Sequence, residues 1–194
     1  MSQPVTLQLA EADQQLLLQI ARNAVQAYLN GQRPPLPDPP PETLMESLGI
    51  FVSVHKGGEL RGCIGSILAT NPLYRSTAEC AIAAAVGDPR FMPLTQKELV
   101  DVDFEISVLS SPEYVQDVKH IEVGKHGLLI SKNSARGLLL PQVASERGWS
   151  RERFLQETCK KAGLRSDDWK EDATIQCFTA LVFSEKQSHL TATQ

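Results

Sequence analysis

Val102-Asp103-Phe104-Glu105-Ile106-Ser107-Val108 sets an apolar side chain at every second position and a polar one between them. A period of two sends alternate side chains to opposite faces, so the stretch predicts a strand with one buried and one wet face. A strand needs partners, and the flanking sequence supplies hairpins. Ile50 to His55 is rich in β-branched and aromatic residues, and Gly57-Gly58 separates it from a second stretch that carries Cys63. That pattern predicts two antiparallel strands joined by a tight turn. Leu128 to Ser131 and Gly137 to Leu140 flank Lys132-Asn133-Ser134 and predict a second hairpin, and Thr174 to Phe183 reads as a long final strand.

Helices fill the intervals. From Ala12 to Leu29, the residues Leu17, Ile20, Ala21, Ala24, Val25 and Tyr28 recur every three or four positions, the stripe of an amphipathic helix that Asn30-Gly31 ends. Asn71-Pro72 reads as a cap followed by a first-turn proline for an alanine-rich buried helix that stops at Gly87. Thr95 and Glu98 have capping-box spacing, and Ser150 heads a helix to about Ala162 with Gly163 at its end. Mixed helices and hairpins without regular strand-helix alternation predict an α+β fold around a mainly antiparallel sheet with flanking helices. The absence of a G-x-G-x-x-G turn argues against a Rossmann dinucleotide site. The first helix and the final strand are expected to share a lobe, since both carry apolar faces.

Residues 1–194 fit a single domain, with Pro34 to Pro41 as a surface connector. That run holds six of the chain's 12 prolines, which lack the N–H that helix and sheet ladders require. A net charge of −4 argues against nonspecific nucleic-acid binding, which depends on Lys and Arg neutralising phosphates. No segment approaches the roughly 20 apolar residues of a membrane-spanning helix, and no secretory signal is visible at the N-terminus. The four cysteines Cys63, Cys80, Cys159 and Cys177 form no C-x-x-C pair, which predicts reduced thiols in a cytoplasmic protein without a zinc ribbon.

Four segments carry chemistry that packing alone does not require. Leu60-Arg61-Gly62-Cys63-Ile64-Gly65 places a thiol between two glycines and near a guanidinium, which suits a nucleophile; a small buried residue at a bend is the plainer reading. Asp88-Pro89-Arg90-Phe91 offers a carboxylate and a guanidinium after a helix end, as a ligand contact or as a local ion pair. Gly124-Lys125-His126-Gly127 supplies an imidazole, the chain's best candidate for proton transfer beside a thiol. The segment Arg136 to Gln142 ends an apolar strand with a proline and an amide, where Arg136 either holds an anion or caps a hairpin.

These segments, with Thr158-Cys159-Lys160-Lys161-Ala162-Gly163-Leu164, resemble the AMMECR family, whose bacterial and archaeal members are called AmmeMemoRadiSam system protein A. The resemblance runs from the first helix to the final strand, and Pro34 to Pro41 is its largest departure. It implies a two-lobed fold with the N- and C-terminal segments in the larger lobe. It also implies an association with Memo-type proteins and radical S-adenosylmethionine enzymes, to which any radical or metal chemistry would belong. It implies no reaction and no cofactor for this chain.

Two functions follow. One is a binding module whose Arg61, Gly62, Gly65, Asp88, Arg90, Arg136 and Gln142 hold a small anionic ligand or a partner segment. The alternative is a cysteine-dependent enzyme or modification factor with Cys63 as nucleophile and His126 as base. A metal site built from Cys63, His126 and Asp88 lacks a recognisable ligand spacing.

Overall fold

A computed structural model describes residues 7–68 and 70–186. The chain divides into two compact bodies. Of the described residues, the larger comprises Gln8–Leu109 and residues 181–186, and the smaller contains Ser110–Ala180.

In the larger body, α1 (Glu11–Leu29) buries the stripe Leu17, Leu18, Ile20, Ala21, Ala24 and Val25. Strands β1 (Gly49–Lys56), β2 (Glu59–Ser66) and β3 (Val102–Leu109) are antiparallel in the order β2-β1-β3. Gly57 and Gly58 close the β1–β2 hairpin with φ of 61° and 89°, left-handed values that favour glycine. Helix α2 (Leu73–Val86) packs across β1 and β2, and α1 packs on α2 and β3. Ile50, Val52 and Val54 of β1 and Phe104, Ile106 and Val108 of β3 are each no more than 2% exposed and form the sheet's half of this core.

Arg22 on α1 ties the body together. It donates to both carboxylate oxygens of Glu185 at 2.6 Å and to the carbonyls of Leu99 and Val102. The same carboxylate accepts the Phe104 N–H at 2.8 Å. Pro34 to Pro41 adopts no helix or strand.

The smaller body holds β4 (Glu113–Tyr114), β5 (His126–Lys132), β6 (Ala135–Leu139), α3 (Pro141–Glu146), α4 (Arg151–Lys161) and most of β7 (Thr174–Ser184). β5 pairs antiparallel with β6 on one side and β7 on the other, and β4 pairs with β7. Ile121, Leu128, Ile130, Phe154, Leu155, Cys159 and Ile175 form its core. Ser150 caps α4 by accepting the Arg153 N–H. Gly163 closes its far end at φ 76°, with the Leu164 N–H on the Cys159 carbonyl. No described helix is long and apolar enough to cross a membrane.

The structure departs from the sequence-based expectations at four places. Asn71 is not the cap of α2, because Pro72 itself is extended at ψ 145° and the helix begins at Leu73; the Asn71 amide donates to Glu79 instead. Pro141 does not end a strand but opens α3, where its missing N–H costs nothing. Ser107, opposite in phase to the apolar residues of β3, is 4% exposed, so the second half of that strand is covered on both faces. The final strand is divided between bodies, since only its last residues, Leu181–Ser184, lie with α1.

Candidate functional site

Cys63 lies within β2, the second strand of the hairpin expected from the sequence. Lys56 pairs with Glu59 and His55 with Leu60, but Val54 pairs with Gly62 and Ser53 with Cys63, so Arg61 is an extra residue forming a β-bulge. The bulge decides which way the sulfur points. In the uninterrupted register set by the hairpin, Cys63 would oppose Val52, whose side chain is fully buried in the core. A one-residue shift sends a side chain to the other face. Cys63 therefore joins Phe51, Ser53 and Glu105 on the face away from α2.

Gly62 shows why the helix face requires a missing side chain. A Cβ there would collide with the Ala84 carbonyl of α2, so the strand and helix backbones meet directly. Gly65 is closed in the same way by the backbone of Ile50 and Phe51. Both glycines set interatomic spacing; neither has a positive φ.

Asp88 and Arg90 pin the peptide of Cys63 from the open edge of β2. The Cys63 N–H donates to Asp88 Oδ2 at 2.9 Å, and Arg90 Nη2 donates to the Cys63 carbonyl at 3.3 Å. Asp88 also accepts from the Arg90 backbone N–H, Nε and Nη2, the last at 2.6 Å. Its side chain is 2% exposed while that of Arg90 is 56% exposed. The guanidinium, opposed in part by burial and helped by the two N–H donors, holds the Asp88 carboxyl well below the usual carboxylate range. The local ion pair thus supplies the two hydrogen bonds that a further strand would have given Cys63.

On the outward face, the Ser53 hydroxyl donates to Cys63 Sγ at 3.2 Å. Ser53 pairs with Cys63 on one side and Glu105 on the other, which sets thiol, hydroxyl and carboxylate in one row across three strands. Cys63 is half-buried. Arg61 is aimed elsewhere, with Nη2 3.5 Å from Glu98 and Nη1 buried without a hydrogen-bond partner. Glu98 also accepts the Thr95 N–H and receives Lys56, completing the capping box.

The remaining candidates belong to the smaller body. His126 opens β5 and is 4% exposed. Its Nδ1 accepts the Glu122 N–H at 3.1 Å, Nε2 has no partner, and burial lowers its pKa. Arg136 is exposed on β6 opposite Ser131. Gln142 lies in the first turn of α3, its carbonyl accepting from Ser145 Oγ. The structure therefore unites Cys63 with Asp88 and Arg90, turns Arg61 toward Glu98, and leaves His126, Arg136 and Gln142 in a body of their own.

Ser53 and Glu105 were absent from the candidates read from sequence. The alternation of Phe51, Ser53 and His55 against Val52 and Val54 was a usable signal for the open face. The partner of Cys63, however, depends on the bulge. Burial pushes the Cys80 thiol up to about 11 and raises those of Cys159 and Cys177. Among the described residues, no group of three or more His, Cys, Asp or Glu side chains is placed to hold a metal ion. A surface hollow of about 270 Å³ between α1 and the proline-rich segment is lined by Asn23, Gln26, Asn30, Gln32 and Arg33, and none of the candidates above borders it.

The AMMECR1 family profile matches residues 18–183. The chain is 42% identical to a protein of Thermococcus onnurineus, covering 89% of this chain and 90% of the relative. It is 44% identical to a protein of Pyrococcus furiosus, covering 89% and 88%. The crystal structure of an uncharacterized protein from Pyrococcus horikoshii superposes with a TM-score of 0.82 at 40% identity, covering 87% of this chain and 89% of that one.

Proposed function

This chain belongs to the AMMECR1 family, and from that premise we propose that the face around Cys63 binds a small anionic ligand or a partner segment, with companion proteins performing the chemistry. One observation carries the reading: Asp88 and Arg90 pin both polar groups of the Cys63 peptide while the thiol stays half-exposed beside Ser53. These hydrogen bonds are formed before any ligand arrives, which limits the ordering cost of binding. The Nη1 edge of Arg90 supplies the positive donors, since its other nitrogens are engaged by Asp88 and Cys63. Memo-type proteins and radical S-adenosylmethionine enzymes are the companions this reading assigns, on the strength of the family resemblance.

The test is an amide NMR titration with inorganic phosphate. Saturable shifts confined to Ser53, Cys63 and Arg90, weakened in Arg90→Lys, support the ligand arm. Co-elution of purified Memo-type protein with the chain, lost on substituting Glu105 or Phe51, supports the partner arm.

A second reading rests on the Ser53 hydroxyl, whose hydrogen bond to Sγ would stabilise a thiolate and so favour Cys63 as a nucleophile. It demands fast, selective alkylation of Cys63 by iodoacetamide, slowed in Ser53→Ala. A Cys63 alkylated no faster than a free thiol sinks this second reading. Rapid alkylation with no anion-dependent shift and no partner binding sinks the first.

A further inference from the structure

Among the buried polar atoms of the smaller body that lack hydrogen-bond partners, two lie on neighbouring residues. His126 and Thr179 are register partners on β5 and β7, and each is less than 10% exposed. Neither His126 Nε2 nor Thr179 Oγ1 has a partner. The Thr179 N–H donates to Ser110 Oγ and its carbonyl accepts the Ser110 N–H. Its backbone groups therefore face away from β5, and the His126–Thr179 pair is of the non-hydrogen-bonded kind, whose Cα atoms approach to about 4.5 Å with the side chains close together.

Chemistry then assigns the protons. Nδ1 of His126 accepts the Glu122 N–H at 3.1 Å, so in the neutral ring Nδ1 holds the lone pair and Nε2 carries the hydrogen. Reversing the ring would set a carbon against that N–H. The unmatched groups are thus an imidazole N–H, which only donates, and a threonine hydroxyl, which both donates and accepts. Both are complementary to an oxygen that can accept from Nε2 and exchange a hydrogen bond with Oγ1. Buried polar groups are rarely left unpaired, and an internal water with two to four polar partners is the usual remedy.

We infer that His126 and Thr179 form a buried binding site for one water molecule, whose oxygen accepts the Nε2–H of a neutral His126 and hydrogen-bonds to Thr179 Oγ1. In that state the free nitrogen of His126 already carries its proton and offers no lone pair to a thiol. The histidine acts as an internal donor within its own body. This inference stands independently of the ligand reading for Cys63.

The full chain, uniformly labelled with 15N, tests it at pH 8 through long-range 1H–15N correlation of the histidine rings, with His126 assigned from His126→Gln. The expected result is the Nε2–H form, together with a cross-peak between the ring and a long-lived water. A high-resolution crystal structure is expected to place that oxygen about 2.7–3.2 Å from both atoms. Thr179→Val should remove the water signal while leaving the tautomer unchanged, since Glu122 sets it; Thr179→Ser should retain both. An Nδ1–H ring overturns the inference, as does a direct His126–Thr179 hydrogen bond or an occupant other than water. Because the tautomer and the water are read on the unmodified protein, poor folding of a variant does not decide the matter.

Discussion

The surroundings of Cys63 and of His126 look alike in sequence, since each sets a reactive side chain beside glycine and a basic residue, yet they fold to opposite conditions. At Cys63 the peptide N–H and carbonyl are both taken, by Asp88 and Arg90, and the sulfur accepts from Ser53 on a half-exposed face. At His126 the ring is buried, one nitrogen is satisfied by Glu122, and the other is left over with Thr179. The glycines do different work too. Gly62 lets two backbones touch, whereas Gly124 turns the chain at φ 88° with only ordinary contact to Ser145. A glycine-flanked polar residue therefore does not by itself announce a reactive group. What distinguishes the two regions is whether neighbouring elements complete the hydrogen bonds.

The largest effect should come from Gly62→Ala, whose methyl must displace the Ala84 carbonyl; overpacking of this kind costs about 3 kcal/mol. Gly124→Ala, strained only by its positive φ, should cost about 1–2 kcal/mol. Urea denaturation of both variants makes the comparison, and equal losses would break the distinction drawn between spacing and turning glycines.

Asp88→Asn should cost about 2 kcal/mol, since an amide cannot match the charge-assisted bonds to Arg90 while also accepting the Cys63 N–H. A carboxyl held below its ordinary value contributes stability that is complete above that value, 3.8, and is lost as pH falls beneath it. Acid titration of unfolding should therefore be flatter in Asp88→Asn below pH 4.

His126 should give a smaller effect in a different window. Burial lowers its pKa beneath the ordinary 6.5, with Lys125 acting in the same direction and Glu122 and Glu113 opposing. On acidification the unfolded chain takes up the proton first, so stability is complete above pH 6.5 and declines below it. His126→Gln should remove that decline between pH 7 and 5. A decline that persists unchanged would show that the imidazole is not the group responsible.

The smallest effect is expected at the thiol itself. Cys63→Ser, half-exposed and already among polar partners, should change stability by less than about 1 kcal/mol, whereas Cys159→Ser puts a hydroxyl into an apolar core and should cost about 2 kcal/mol. Thermal unfolding of the pair reads the difference directly.

Much of the framework was legible because it depends on local periodicity. The stripe of α1, the alternation of β3, the Ser150 cap and the Gly57-Gly58 turn all express interactions within a few residues of one another. Local signals also misled where two neighbouring residues compete for one role. Asn71 looked like a cap until Pro72 occupied that position, and Pro141 looked like a strand end because helix α3, at 6 residues, is shorter than two turns.

The sequence by itself determined the α+β composition, the antiparallel hairpins, the irregular proline segment and the residue types able to do chemistry. The tertiary structure decided which of them meet. Sequence spacing cannot locate the bulge at Arg61, because the hairpin's register is a balance between the turn and the packing of Val52, Val54 and Gly62 against α2. That balance alone turns Cys63 away from the core and sets it against Ser53. The pairing with Asp88, 25 positions away in the chain, is likewise a consequence of where α2 ends. Hydrogen bonds between groups so far apart follow from the packing of helix on sheet, which no local period encodes.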